Sequence, residues 1–278
     1  MDSGNGARLE RFGPHLLSRP EAEAVWRPAL AEARWDASEA RFMPSPEENG
    51  GHWSWKNGSP GRWKMQYNGV SFWVQAGNSR HLGVFPEQAA HWDWIVERIQ
   101  AANRPLNVLN LFGYTGVASL AAARAGARVT HVDASPKAIA WARENQALSG
   151  LDDRPIRWLV DDALKFVRRE ARRSAAYDGI ILDPPKFGRG PKGEVWEFYR
   201  VLPELLEACR AVLSPQASFL VLTAYAVKAS SITLHTAVRE MMNPMRGSVE
   251  AGELALVEKS AGRLLSTAIY ARWSAASS

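Results

Sequence analysis

Asp183-Pro184-Pro185-Lys186-Phe187 closes an apolar run, Tyr177-Asp-Gly-Ile-Ile-Leu182. The run reads as a buried strand, and an acid at its end lies where open α/β sheets bind ligands. Pro184 and Pro185 each fix their own φ, and Pro185 holds Pro184 extended, so Asp183 stands on stiff backbone. Lys186 adds a cation and Phe187 a flat apolar ring. An acid, a cation and a ring on a rigid tip suit a planar polar group presented for reaction. Asp183, Pro184, Pro185, Lys186 and Phe187 are therefore the candidate catalytic residues.

A second set lies upstream. Asn110-Leu-Phe112-Gly113-Tyr-Thr115-Gly116 joins a strand to an alanine-rich helix, with two glycines that permit a tight turn and a close approach of backbone to ligand. The first turn of such a helix presents N–H groups that favour a carboxylate or phosphate. Asp133 ends the next strand, 17 residues after Gly116, followed by Ala134 and Ser135. An acid there can accept both hydroxyls of a ribose. Asp161-Asp162-Ala163 ends a third strand, where a carboxylate can meet an adenine amino group, and Asp183 ends a fourth. Four successive strands thus carry polar or acidic residues to one edge. The loop is not Gly-x-Gly-x-x-Gly, which disfavours a dinucleotide. A cofactor with ribose and adenine but no phosphate fits better, and S-adenosylmethionine is that cofactor.

The elements that must position these residues alternate. The expected order is a helix from Pro86 to about Ala102, strand 107–111, helix 116–125, strand 128–132, helix 136–149, strand 156–160, helix 163–173 and strand 179–182. A helix over 195–213, a strand over 218–223 and a helix over 231–242 follow, then two closing strands, 253–258 and 264–273. This pattern predicts an α/β fold with a doubly wound, mostly parallel seven-stranded sheet whose last strand is antiparallel. Residues 1–82 form an expected small N-terminal, tryptophan-rich and hairpin-rich region, and 83–278 the cofactor-binding domain. Asn68-Gly69 between two alternating runs is the strongest hairpin signal. Residues 1–20 carry few periodic signals and read as peripheral, 21–34 as a helix interrupted at Pro28, and 43–60 largely as loop.

Composition narrows the function classes. Charged residues make up 23% and hydrophobic ones 46% of 278, as in an ordinary soluble domain. No run approaches the ~18 apolar residues of a membrane span, and residues 1–8 lack an apolar signal core, so a cytoplasmic protein is expected. One cysteine excludes an internal disulfide framework and a cysteine-cluster metal site, and no metal is expected. The net charge is +5, and the excess lies after residue 103, where 23 Lys and Arg face 17 Asp and Glu. Two basic clusters stand out: Arg168, Arg169, Arg172 and Arg173, and the loop of Lys186, Arg189 and Lys192. Either is a candidate contact for an RNA partner, or a solvated face.

The strand-tip residues resemble the class I S-adenosylmethionine-dependent methyltransferases, and among them the large-subunit ribosomal RNA group that modifies 23S RNA bases. The likeness covers about residues 80–275 and includes Gly83-Val-Phe85-Pro-Glu87-Gln88, similar to a Gly-x-Phe/Tyr-x-Asp-Gln segment beside the cofactor in that group. Glutamate replaces the aspartate here. The resemblance implies S-adenosylmethionine held by Phe85, Gln88, Phe112, Gly113, Thr115, Gly116, Asp133, Ala134, Ser135, Asp162, Ala163 and Asp183, and an RNA substrate. Members of the group often carry an N-terminal RNA-binding domain of the pseudouridine-synthase-associated type; residues 1–82 are too few for that domain plus the hairpin region, so it is expected to be missing. Members that methylate carbon 5 of cytosine attack the ring with a cysteine after the fifth strand. Here that place reads Leu222-Thr-Ala-Tyr225-Ala, and Cys209 lies on an apolar helical stripe, so a nitrogen target is expected. The rival readings are a protein or small-molecule methyltransferase, a non-catalytic RNA-binding relative and a dehydrogenase.

Overall fold

Alternation along the inner strands decides the architecture. In a computed structural model, which describes residues 1–45 and 50–276, Leu109, Leu111, Ile180, Leu182, Leu220 and Leu222 share one buried cluster with Phe166, Leu205 and Val238. Val108, Ile181, Phe219 and Val221 share another with Ile95, Ile99 and Ala122. Successive strand residues point to opposite faces, so one sheet is covered by helices on both sides. Each large side chain buried this way contributes about 1.5–3 kcal/mol.

The chain divides into two compact units, residues 1–87 with 255–267 and residues 88–254 with 268–278. The first contains β1 (Asp2–Gly4), β2 (Ala7–Phe12), β3 (His15–Pro20), a five-residue α1 (Glu32–Asp36), β4 (Ala40–Pro44) and β5 (Gly51–Trp55), the five strands forming one sheet in that order. A separate hairpin pairs β6 (Arg62–Tyr67) with β7 (Val70–Gln75). Asn68 and Gly69 both have positive φ, 43° and 80°, as a two-residue hairpin turn requires.

The N-terminal strands correct the expectation for residues 1–20. Leu9, Phe12 and Leu17 are core residues. The pattern was hidden because charged side chains are buried with them: Arg19 donates to Glu10 at 2.6 Å and 3.0 Å, and Arg8 lies 3.3 Å from Glu21. The helix expected over 21–34 is also absent apart from its last turn. Its backbone is committed elsewhere, with Asn5 N–H on the Trp26 carbonyl and Gly6 N–H on the Ala24 carbonyl. The Ala29 and Leu30 N–H groups donate to the Asp2 carboxylate. Within the stretch read as loop, β4 and β5 enclose residues 46–49, which lie outside the described residues.

The second unit opens with α2 (Ala89–Ala101), after a 3-10 turn from Pro86 to Gln88. It continues through β8 (Asn107–Leu111), α3 (Val117–Arg124), β9 (Arg128–Asp133), α4 (Pro136–Leu148), β10 (Ile156–Val160), α5 (Ala163–Arg172) and β11 (Gly179–Leu182). Next come β12 (Phe187–Arg189), β13 (Val195–Glu197), α6 (Phe198–Ala211), β14 (Phe219–Ala224), α7 (Ser231–Met242), β15 (Gly247–Val257) and β16 (Leu264–Ala275), of which residues 255–257 and 264–267 belong to the first unit. The large sheet has the order β10-β9-β8-β11-β14-β16-β15. Its first five strands are parallel, and β16 returns antiparallel to β14. The seven-stranded, mostly parallel sheet agrees with the expectation. The helix expected from Val195 is shorter: residues 195–197 pair with 187–189 as a small hairpin, and α6 starts at Phe198. Glu197 accounts for the boundary, since its carboxylate caps the Tyr199 and Arg200 N–H groups.

Asp2 is the polar hub of the first unit. At 2% exposure its carboxylate accepts from Ala29 N, Leu30 N, Trp35 Nε1 and Ser260 Oγ, at 3.3, 3.0, 3.0 and 2.6 Å. Burial raises its pKa, but the bonds from Ser260, Leu30, Trp35 and Ala29 outweigh burial and leave it lowered. The stabilisation is thus present above the ordinary aspartate value and is lost as pH falls through the lowered one. Asp2→Ala should cost about 3 kcal/mol in urea unfolding at neutral pH, with a difference from wild type that shrinks in acid. A difference independent of pH would show that the charge is not what stabilises.

Candidate active site

Strand order reverses between β8 and β11, since β9 and β10 extend the sheet one way and β14 the other. A crevice therefore opens outside the carboxyl ends of β8 and β11, where such sheets bind ligands. The loop after β8 forms one lip and the Asp183-Pro184-Pro185 tip the other.

The loop after β8 is held in an unusual backbone shape. Phe112 and Tyr114 have φ of 58° and 50°, in the left-handed region that costs a non-glycine residue about 1–2 kcal/mol. Gly116 follows at 84°. A Cβ on Gly116 would meet Ala142 and Trp158 at 2.9–3.0 Å, and one on Gly113 would enter the His131 ring. Both glycines are thus required by packing within the protein, and Gly116 by its backbone conformation as well. Beneath them runs a buried polar chain, Asn110 Nδ2 to Ser119 Oγ and Ser119 Oγ with His131 Nδ1, both 2.9 Å. Burial lowers the His131 pKa to about 3, so the ring is neutral at physiological pH. Asn145, on α4, donates to the Thr115 carbonyl at 2.9 Å and ties the loop to the next helix.

Asp133, at the end of β9, joins this loop to the following one. Its two oxygens accept the Tyr114 N–H and the Ser135 N–H, each at 2.8 Å. Burial raises its pKa against the pull of these two bonds. Ser135 caps α4 through the Ala138 N–H at 3.2 Å, and Ala134 lies half-buried between them. Asp162 caps α5 through the Lys165 N–H at 2.9 Å, and Ala163 behind it is buried. Asp161 is engaged with Arg169 at 2.6 Å. Among the helices that start at this edge, α4, α5, α6 and α7 each have a side-chain cap, whereas α3 has none. Its N-terminus suits an anionic group of a ligand, by partial charge and by hydrogen bonding.

Across the crevice, three residues meet at the tips of β11 and β14. Gln88 Nε2 donates to Asp183 Oδ2 at 3.3 Å and to Tyr225 Oη at 3.1 Å. Ala226, next to Tyr225, has φ of 53°, a third strained non-glycine residue on this edge. Pro184 is buried while Pro185 and Lys186 are exposed. The Trp196 indole donates to the Pro185 carbonyl at 2.6 Å and its ring lies 4.9 Å from Phe112. Trp196 therefore links the lips of the crevice. Phe187, 56% exposed, begins the small hairpin. Phe85 lies in the first unit, its ring 4.7 Å from that of His81.

Trp196 and the Tyr114 backbone had not been singled out from the sequence. A tryptophan inside an expected helix gives no signal, and a backbone N–H gives none from any sequence. Cys209 is fully buried on α6 with its pKa raised by burial, as a core thiol. Two concavities of about 420 and 970 Å³ lie at the opposite, amino-terminal edge of the sheet, around Asn107 and Tyr177 and around Ser214 and Trp273, and contain none of the strand-tip acids. Among the described residues no group of three or more His, Cys, Asp or Glu could hold a metal, and no helix is long and apolar enough to cross a membrane.

A carboxylate on two loop N–H groups, an uncapped helix and a crevice at the switch point suit a nucleoside bearing a carboxylate, as S-adenosylmethionine does. Comparison with known proteins agrees. A crystal structure of a SAM-dependent methyltransferase from Agrobacterium tumefaciens is 50% identical with a TM-score of 0.95, over 99% of this chain and 89% of that one. The ribosomal RNA large subunit methyltransferase I of Aeromonas salmonicida is 33% identical over 52% of this chain and 33% of its own. The K/L enzyme of Shewanella frigidimarina is 40% identical over 39% of this chain and 15% of its own. The chain thus spans a third or less of the length of these two curated relatives. The family model for S-adenosylmethionine-dependent methyltransferases matches residues 26–244, and the chain, with its strand-tip acids in that order, belongs to this family.

Proposed function

We propose that this methyltransferase modifies RNA, with a base of ribosomal RNA as substrate and a nitrogen as target, in the cytoplasm. The observation that carries the reading is the meeting of Asp183, Gln88 and Tyr225 at the tips of β11 and β14, across the switch point from Asp133 and α3. When bound, S-adenosylmethionine supplies a methyl group on a cationic sulfur. Asp133 accepts the ribose hydroxyls, and the first turn of α3, with Gly113, Thr115 and Gly116 before it, receives the carboxylate. Asp162 and Ala163 border the adenine, as do Ala134 and Ser135, and Phe112 packs against the cofactor.

Gln88 orients Asp183 through its amide, and the carboxylate accepts an N–H of the target amine. This aims the nitrogen at the donor, since in-line transfer depends chiefly on collinear, close placement. Pro184 and Pro185 keep the carboxylate from retreating. Phe187 stacks on the base, and Lys186 holds a neighbouring phosphate. No thiol serves this edge: Tyr225 stands at the β14 tip, and Cys209 lies within the core. A nitrogen, which can attack without a covalent adduct, is the target that this residue set serves.

Asp133→Ala should weaken S-adenosylmethionine binding by roughly a hundredfold in calorimetry, for the loss of charged hydrogen bonds of about 1.5–3 kcal/mol. Unchanged affinity would remove its ribose role. Because burial raises the Asp133 pKa, wild-type affinity should fall as pH is lowered through a value above the ordinary aspartate range. The carboxylate then becomes an acid with one acceptor fewer. Asp183→Ala should lower the rate constant for methyl transfer to ribosomal RNA by a factor on the order of 10² while cofactor affinity changes little; a loss of affinity alone would move Asp183 to the cofactor side. Cys209→Ser should retain methyl transfer. Its abolition in a folded variant would restore a cysteine mechanism.

A further inference from the structure

The two basic clusters are not equivalent in the folded chain. On α5, Arg168 bonds Glu204 at 2.8 Å, Arg169 bonds Asp161 at 2.6 Å and Arg173 bonds Glu170 at 3.1 Å. Three of the four arginines of this cluster are thus paired within the protein, and Arg172 has no partner among the described residues. On the β12–β13 hairpin the acids are engaged instead. Glu194 pairs with Lys165 at 2.6 Å and accepts the Lys192 N–H, and Glu197 caps α6. The Arg189 and Lys192 side chains have no ion-pair partner among the described residues. The unmet positive charge of this region therefore lies on the hairpin that follows Asp183 in the chain.

The hairpin register sorts its side chains. Phe187 lies opposite Glu197, Gly188 opposite Trp196 and Arg189 opposite Val195. Phe187, Arg189, Val195 and Glu197 thus share one face, and Trp196 turns the other way into the core. On or next to that outward face, Phe187, Val195 and Tyr199 are 56%, 44% and 48% exposed. Tyr199 is held there at the start of α6, its N–H on Glu197 and its ring edge-on to Phe198 at 5.3 Å. Exposed rings among unmet cations suit unstacked bases on a phosphate backbone. A duplex, whose bases already stack on one another, offers such rings nothing.

We propose that the outward face of β12–β13 with the first turn of α6 is the docking surface for an unpaired RNA segment flanking the target nucleotide. Tyr199 is a stacking platform for a neighbouring base, and Arg189 and Lys192 hold its phosphates. This rests on the reading of the protein as an RNA methyltransferase.

The test is fluorescence anisotropy with a labelled mixed-sequence oligoribonucleotide of about 12 nucleotides, within the footprint of known single-strand sites, alone or annealed to its complement. Cofactor calorimetry and methyl transfer to ribosomal RNA run beside it. The single strand should bind more tightly than the duplex. Tyr199→Ala should weaken single-strand binding on the order of tenfold, and Tyr199→Trp should restore it. Arg189→Gln with Lys192→Gln should reduce the slope of log affinity against log salt by about 1.4, from two phosphates at ~0.7 each. Cofactor affinity should not change in any of these variants. If the wild type methylates RNA but the variants bind the single strand with unchanged affinity and slope, or if the duplex binds better, the docking surface is wrong and the RNA reading stands. If the wild type binds cofactor but neither binds nor methylates RNA, the RNA reading falls and this surface with it.

Discussion

Two backbone N–H groups from different loops converge on the carboxylate of Asp133. One belongs to Tyr114 in the turn after β8, the other to Ser135 at the head of α4. The turn that supplies the first has two non-glycine residues in left-handed conformation, a cost that persists only where surroundings over-determine it. The Asp133 carboxylate, the Asn145 bond and the buried Asn110–Ser119–His131 chain supply that constraint. Were this clamp absent, the turn would relax, α3 would shift its first residues, and the crevice would lose one lip. The geometry of this lip thus depends on an acid that is itself disfavoured as a charge by its burial.

The other lip of the crevice is built by a different device. Its stiffness comes from consecutive prolines and from an indole wedged behind them, not from a charge. Trp196 holds the Pro185 carbonyl and rests against Phe112, so the same ring senses both lips. Three of the seven non-glycine residues of positive φ, Phe112, Tyr114 and Ala226, stand at strand tips of this edge, whereas Ser174 follows α5 and Asn5, Asn68 and Asn103 are ordinary turn formers. A rigid sheet with distorted residues held at its ligand-facing rim is what in-line transfer asks for, since the gain lies in placing two groups and not in moving them.

Much of this was legible in the sequence because the inner strands are apolar on both faces, and because β9, β10 and β11 lead into Asp133, Asp161 and Asp183. Val108 to Leu111, Ile180 to Leu182 and Phe219 to Leu222 leave little choice but a doubly covered parallel sheet. The first 20 residues were illegible for the opposite reason. Arg8, Glu10 and Arg19 lie inside, where alternation predicts apolar side chains, and only pairing makes that tolerable. Val195 to Glu197 read as helix because the cap, Glu197, is not a common capping residue, and because Trp196 fits a helical stripe as well as it fits a strand. Which acid does what was legible only in part. Asp133 and Asp162 both end strands, yet one bridges two loops while the other caps its own helix, a distinction that depends on backbone direction after the tip.

Cys209 has a consequence outside catalysis. Oxidation of a cysteine begins with a thiolate that solvent can reach. This thiol has neither property, lying at the centre of the α6 stripe with its proton held by burial. The crevice itself is built from carboxylates, amides, prolines and rings. Peroxide or glutathione therefore has no sulfur nucleophile to intercept here, and a swing in cellular redox state leaves the methyl-transfer centre chemically untouched.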